Sequence, residues 1–279
     1  MSLTNQPFRP SSSDPPLCYL DTHAHAAAPP ADVVVFVHAF PLGAGMWWPQ
    51  LQAYPPGWRF VAPNLRGFDG TEEWVHRDGT VHIDDYADDV LSVMTGLGIA
   101  RAVIVGLSMG GYVAFALHRK APERVRGLLL ADTRATADGA DAREARIVMA
   151  ARLSREGSGG WLADQMVPKL LAPHTRRYRP AVADDVRVMM ERQTMAAVRG
   201  AILRMASRPD ATRDLGRITV PVSIVVGAED AMTPVADARA MHDRMAASAL
   251  EIIPEAGHLS SLEQPGAFNA ALSRLLSRA

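Results

Sequence analysis

The sequence predicts an α/β fold: a central, mostly parallel sheet flanked by helices, with a helical cap inserted late in the chain. Three observations carry that expectation. Short, wholly apolar, β-branched runs recur as buried parallel strands require. Helical patterns alternate with them. One gap between successive runs, from Leu128 to Val222, is far longer than a βαβ unit needs.

Residues 1–16 are rich in Ser and Pro; with amide donors lost and nothing apolar repeating, they read as a loose tail. Residues 17–22 are a candidate short strand and 26–32 a turn. The buried-strand runs follow at 33–37, 60–62, 102–105, 128–130, 222–226 and 250–253. Between the second and third of these, Ile83, Tyr86, Ala87, Val90, Leu91, Met94 and Leu97 recur at steps of three and four. They mark one apolar stripe on a helix that ends at Gly96 or Gly98. Within the long gap, residues 142–153, 161–171, 183–195 and 198–206 read as helices, broken at 157–160 and at Pro173, and no strand is convincing. A helical excursion that leaves one strand and returns to the next faces the crevice at the strands' carboxyl ends. The expected organisation is therefore a tail over 1–16, a core over 17–132 and 216–279, and a cap over 133–215.

With 279 residues and 48% apolar side chains, the chain is long enough for one large domain with a substantial core. Lys plus Arg (29) balances Asp plus Glu (30), so no basic field exists to attract nucleic acid or an anionic membrane. Only Lys120 and Lys169 are lysines, a bias that reads as coding composition and identifies no function. Cys18 is the single cysteine, which rules out an intrachain disulfide and a multi-cysteine zinc site. The N-terminus lacks the apolar run of a secretory signal, and no stretch approaches about 18 uninterrupted apolar residues. A cytoplasmic protein is expected.

Chemistry enters at Gly106-Leu107-Ser108-Met109-Gly110-Gly111, which leaves the apolar run 102–105 and precedes the helical Tyr112-Val113-Ala114. This is G-x-S-x-G between a strand and a helix. Glycines flank the serine because the turn is sharp, and the serine is presented, strained, at its apex. Ser108 is the candidate nucleophile; the bland alternative is a small-residue turn that packs tightly.

Here the sequence resembles the α/β-hydrolase family, over nearly the whole chain from Val33 onward. The cap placement and the GLSMGG run are most similar to bacterial carboxylesterases and the 3-oxoadipate enol-lactonase branch. The resemblance implies an α/β-hydrolase fold and a Ser…Asp…His order.

Nine histidines are present, and only His258 follows a late strand into a turn, in Pro254-Glu255-Ala256-Gly257-His258. It is the candidate general base, suited to taking and returning a proton near neutral pH. The family's G-H in its last loop supports the same residue. An imidazole in that role needs an acceptor on its other nitrogen. Asp230 lies in the turn leaving 222–226, where family members carry their acid, and Asp132 after 128–130 is the alternative. By the same resemblance, the turn His38-Ala39-Phe40-Pro41 supplies an oxyanion donor, the Phe40 amide, and the Met109 amide supplies the second. Ala39 stands where the family has Gly; a positive φ there would strain the turn, and a negative φ would tolerate the methyl. The run Asn64-Leu65-Arg66-Gly67-Phe68-Asp69-Gly70 looks like the family's D-x-R-G-x-G loop with Asn and Asp exchanged in. Arg66 is expected to anchor loop carbonyls there rather than to act in catalysis.

Asp21-Thr22-His23-Ala24-His25 imitates a metal-binding H-x-H, but the further His, Asp and Lys ligands of such sites are missing. His76, His82, His118, His174 and His242 read as solvated. No Gly-rich dinucleotide or nucleotide loop occurs, so neither metal nor cofactor is expected. Most apolar residues of the cap are expected to pack helices. Trp161 and Met166, with Trp47 and Phe40, are candidates to line an apolar substrate pocket, and Arg134 is a candidate partner for a substrate carboxylate.

The expected activity is cofactor-free serine hydrolysis of carboxylic esters or lactones of small, largely apolar substrates through an acyl-enzyme. The alternatives are acyl transfer, perhydrolysis or C–C hydrolysis with the same triad, and a non-catalytic ligand-binding receptor of the same fold. A small-molecule partner is expected, with neither nucleic acid nor membrane. No charge or heptad pattern predicts a subunit interface, which leaves monomer and homodimer open.

Overall fold

A computed structural model of the chain describes residues 5–8, 17–75, 79–156 and 160–279. Its strands are β1 (Asn5–Phe8), β2 (Leu17–Asp21), β3 (Asp32–Val37), β4 (Trp58–Pro63), β5 (Ala102–Leu107), β6 (Val125–Ala131), β7 (Val222–Gly227) and β8 (Ser248–Ile253). They form one sheet in the order β1-β2-β4-β3-β5-β6-β7-β8, antiparallel at β1-β2-β4 and parallel from β4 to β8. The helices are α1 (Trp48–Leu51), α2 (Ile83–Gly96), α3 (Met109–Lys120), α4 (Ala140–Glu156), α5 (Gly160–Leu170), α6 (Pro173–Tyr178), α7 (Pro180–Glu191), α8 (Met195–Ala206), α9 (Val235–His242), α10 (Ser260–Glu263) and α11 (Pro265–Leu276).

The central strands are apolar because both faces of the sheet are covered. Every residue of β5 and of β7 is buried, as are all of β3 but Asp32 and all of β6 but Arg126. At the rim the rule relaxes: β8 is mostly half-exposed, and its sequence carries Glu251. The stripe from Ile83 to Met94 buries Tyr86, Ala87, Val90 and Val93, and α2 ends at Gly96. Gly98 follows at φ 68, a left-handed geometry that lets the chain turn off the helix.

The tail expectation needs correcting at one place. Residues 5–8 form β1, paired antiparallel to β2 with Asn5 opposite Leu20 and Phe8 opposite Leu17. Four residues containing Pro7 carry no alternation, so only the exposed edge of β2 explains the strand. The rest of 1–16 lies outside the described residues, as do His76 and positions 157–159. Between β6 and β7 the chain forms α4 to α8 and a short 3-10 turn, with no strand among the described residues. Pro173 does not merely break a helix there, because it opens α6 at a first-turn position, where its missing N–H costs nothing.

Buried ion pairs join α8 to the core. Arg204, fully buried, bonds Glu73 at 2.8 Å and Asp85 at 3.2 Å, with its guanidinium 4.8 Å from the Tyr86 ring. Nearby, Arg66 makes a forked contact with Asp89, donates to the Asp85 carbonyl and stacks on Trp74 at 3.6 Å. Two planar cations thus bind one edge of α2 to the loop before it and to α8.

Candidate active site

β5 delivers the chain into α3 through Ser108, whose φ of 54° and ψ of −110° form the sharp apex expected of a strand-turn-helix elbow. Glycine is obligatory on both sides. A Cβ at Gly106 would lie 2.2 Å from the Gly110 carbonyl oxygen, and one at Gly110 would lie 2.1 Å from the Val37 carbonyl oxygen. The apex is pinned from β6, since the Ser108 amide donates to the Ala131 carbonyl at 2.9 Å and the Thr133 hydroxyl donates to the Ser108 carbonyl at 2.8 Å.

Two loops from the far side of the sheet meet this serine. His258, after β8, places Nε2 2.7 Å from Ser108 Oγ and Nδ1 2.9 Å from Asp230 Oδ2. Asp230 lies in the turn after β7, where its Oδ1 accepts the Met232 and Thr233 amides and its Oδ2 the Thr233 hydroxyl. Burial opposes charge on Asp230, but the His258 and Thr233 hydrogen bonds more than offset it and hold the carboxyl below the usual aspartate range. With that carboxylate accepting from Nδ1, the lone pair of Nε2 faces the serine hydroxyl. This line of three side chains is buried, with Ser108 9% and His258 1% exposed. It can move a proton from hydroxyl to imidazole while the carboxylate stabilises the cation.

Asp132, the alternative acid, does not meet the imidazole. Its carboxyl accepts the Gly227 and Ser260 amides and lies 2.5 Å from Ser260 Oγ. Burial, reinforced by the Asp230 charge, pushes Asp132 well above the usual aspartate range. It ties the loop that bears Asp230 to the loop that bears His258.

The turn after β3 is set by His38. The Leu65 amide donates to Nε2 at 3.2 Å, so the proton sits on Nδ1 and points at the Ala39 carbonyl 3.0 Å away. Ala39 is not among the residues with positive φ, so its methyl adds no strain of that kind. Phe40 joins Pro41 through a cis peptide bond. Among the described residues, no acceptor meets the Phe40 or Met109 amide.

Burial drives His38 down to about 4, against the Ala39 carbonyl and the Asp69 charge, which favour the cation. The folded value lies below the unfolded one of 6.5, so the unfolded chain binds more protons between the two. Stability from this group is complete above pH 6.5 and is lost as pH falls toward 4, about 3 kcal/mol in all. Urea unfolding at neutral and mildly acidic pH is expected to show a steeper acid loss for the wild type than for His38→Asn; parallel curves would remove the assignment.

A family model described as the alpha/beta hydrolase fold matches residues 32–265. The chain belongs to that family. It is 29% identical over 251 residues to 3-oxoadipate enol-lactonase 2 of Acinetobacter baylyi, covering 88% of each chain. Among solved structures it resembles a thermophilic esterase from Thermogutta terrifontis, described with malate bound, at 34% identity, TM-score 0.89 and 98% coverage of both chains. The enol-lactonase from Burkholderia xenovorans LB400 shares its fold, with TM-score 0.84 at 24% identity, over 94% of this chain and 96% of that one.

The side chains expected around a substrate have the following neighbours in this alpha/beta hydrolase. Trp47 is wholly buried, its ring 5.0 Å from Phe36 and 5.9 Å from Phe268. Arg134 donates to the Met232 carbonyl at 2.6 Å, with Asp237 3.8 Å away; this engagement ties it to the Asp230 turn. Trp161 lies under the Arg152 guanidinium at 4.1 Å, and Met166 is buried on α5 in the hydrophobic core cluster. Phe40 is 7% exposed in the turn after β3, and Met109, next in sequence to Ser108, is wholly buried at the start of α3. Asp21 pairs with Arg59 and accepts the His23 amide, while His23 Nδ1 meets the Thr22 hydroxyl. Among the described residues no cluster of three His, Cys, Asp or Glu could hold a metal ion, and no helix is long and apolar enough to cross a membrane.

Sequence reasoning missed Thr233, whose hydroxyl is 2.6 Å from Asp230 Oδ2 and 3.3 Å from His258 Nδ1. The available signal was the turn Asp itself, which commonly accepts the amides two and three residues on and so brings the residue at that position, here Thr233, beside its carboxyl.

Proposed function

We propose that this chain is a serine hydrolase of carboxylic esters or lactones, working through an acyl-enzyme on Ser108. The observation that carries the reading is the unbroken hydrogen-bonded line Ser108–His258–Asp230. Ser108 Oγ attacks the carbonyl carbon as its proton passes to His258 Nε2, and the Phe40 and Met109 amides donate to the developing oxyanion. The tetrahedral adduct collapses and the leaving alkoxide takes the proton from Nε2; in a lactone it stays tethered to the acyl chain. Water, activated by the same nitrogen, then attacks the acyl carbon and frees Ser108. Asp230 keeps its charge throughout.

The names of two relatives, an enol-lactonase and an esterase, support an oxygen ester as the bond and water as the acceptor. A receptor without turnover would have no use for a hydroxyl held at a strained apex against an imidazole. We read residues 133–215 as a lid over the carboxyl edge of the sheet. The near-complete burial of Ser108 and His258 favours small acyl groups of low polarity.

Rapid mixing of the wild type with p-nitrophenyl butyrate, acid quenching and peptide mass analysis test the acyl-enzyme. A burst of nitrophenol with butyryl on the peptide containing Ser108 is expected. Steady turnover with acyl on another residue, or on none, would refute the mechanism.

A further inference from the structure

A second buried carboxylate lies near His258, and nothing in the mechanism above uses it. Glu263 closes the four-residue helix α10 and is wholly buried. Its Oε1 accepts the Gly257 amide at 2.8 Å and the Leu259 amide at 3.3 Å, which are the peptides on either side of His258. Its Oε2 accepts the Ala172 amide and the Thr175 hydroxyl, both at 2.7 Å, from the junction of α5 and α6. The His258 amide itself donates to the Leu170 carbonyl at 2.9 Å, at the end of α5. The two segments touch closely, since a Cβ at Gly257 would lie 2.7 Å from the Ala172 nitrogen. One carboxylate therefore holds the histidine loop with one oxygen and the inserted helical segment with the other.

We infer that Glu263 is a positioning residue that transmits the seating of the helical segment 133–215 to the imidazole of His258. The assignment rests on the proposed role of His258 as general base. The geometry leaves little slack. A carboxylate with four donors is fully subscribed, so displacing Ala172 and Thr175 forces Oε2 to move, and Oε1 must carry the Gly257 and Leu259 amides with it. A shift near 1 Å in the base costs about 10²-fold in rate. The arrangement differs from ordinary loop anchoring because the anchor lies across the boundary between core and insert. Burial of Glu263 disfavours its charge, and the four donors oppose that; a site that tolerates this conflict has a use for two-sided acceptance that a neutral side chain lacks.

The test uses the full-length protein with Glu263→Gln, Thr175→Val and the double variant. Glutamine keeps the shape but turns an N–H toward donors on one side. Valine removes only the hydroxyl on the insert side and leaves the histidine loop's own bonds intact. In steady-state hydrolysis of p-nitrophenyl butyrate, Glu263→Gln is expected to lower kcat about 10- to 100-fold with KM within about threefold. Thr175→Val is expected to lower kcat in the same sense by a smaller factor. The double variant should be no worse than Glu263→Gln alone, because both act through one carboxylate. In parallel, the pH dependence of the His258 Cε1–H resonance, assigned by its loss in His258→Gln, should move in both single variants. Loss of thermal stability with unchanged kcat and an unchanged imidazole titration would reduce Glu263 to a buried structural carboxylate and overturn the inference. The resonance separates this failure from that of the proposed function. If the wild type cleaves no ester, a titration that moves in Thr175→Val still upholds the coupling, and one that stays overturns it. If Glu263→Gln does not fold, Thr175→Val decides alone.

Discussion

Ser108→Ala is expected to abolish ester turnover almost completely, with kcat falling by about 10⁴- to 10⁶-fold, the loss found when a triad member is removed. Among the described residues the hydroxyl makes one bond, to His258 Nε2, so its removal is expected to leave the fold intact. The elbow is held by main-chain contacts at Gly106 and Gly110 and by the Ala131 and Thr133 hydrogen bonds, none of which involves Oγ. The variant should therefore match the wild type in circular dichroism and in thermal midpoint to within a few degrees, while losing the burst and the acyl peptide. Equal activity of the two proteins would show that another group attacks the carbonyl, and the proposed mechanism would fall with it.

Asp230→Asn carries the second largest expected effect, about 10⁴-fold in kcat with little change in KM. The carboxylate accepts from Nδ1 and so leaves Nε2 able to receive the serine proton. An asparagine that turns its N–H toward Nδ1 selects the opposite tautomer, which presents an Nε2–H to Ser108 where a lone pair is needed. Asp132→Asn provides the internal contrast. That carboxyl meets Gly227 and Ser260, not the imidazole, so its loss should lower stability more than kcat. Steady-state kinetics on both variants beside urea unfolding separate the two residues. A larger kcat loss for Asp132→Asn than for Asp230→Asn would reverse the assignment of the acid.

Much of this arrangement could be read before any coordinates. The parallel core was legible because its strands are buried on both faces and so carry uninterrupted apolar runs; the ends of those runs at 37, 105 and 226 fall just before the loops that bear Phe40, Ser108 and Asp230. Other features left no local trace. β1 has no pattern of its own and exists only against β2. Asp132 and Asp230 both follow strand ends, and what separates them is whether the imidazole or Ser260 lies in front of the carboxyl, a fact of loop geometry. The Trp47 ring packs against Phe36 and against Phe268, far along the chain, neighbours no local pattern announces. Glu263, in the polar run Ser260-Ser261-Leu262-Glu263-Gln264, resembles an exposed first-turn acid; its insert-side partners are 91 and 88 residues upstream.

The glycine contacts around Ser108 also bear on how such a protein can change over generations. Gly106 abuts the Gly110 carbonyl and Gly110 abuts the Val37 carbonyl, so β3, β5 and α3 touch through bare main chain at the reacting oxygen. Its place is then set by peptide planes, which every sequence shares, and hardly by the side chains around it. On the lid reading proposed above, residues of the helical insert are free to drift, and with them the acyl groups admitted, while Ser108 Oγ stays where it is. The glycines themselves have no such freedom. A single replacement collides with backbone that no neighbouring change of side chain can withdraw, so a lineage built on this scaffold keeps its elbow fixed while residues away from it vary.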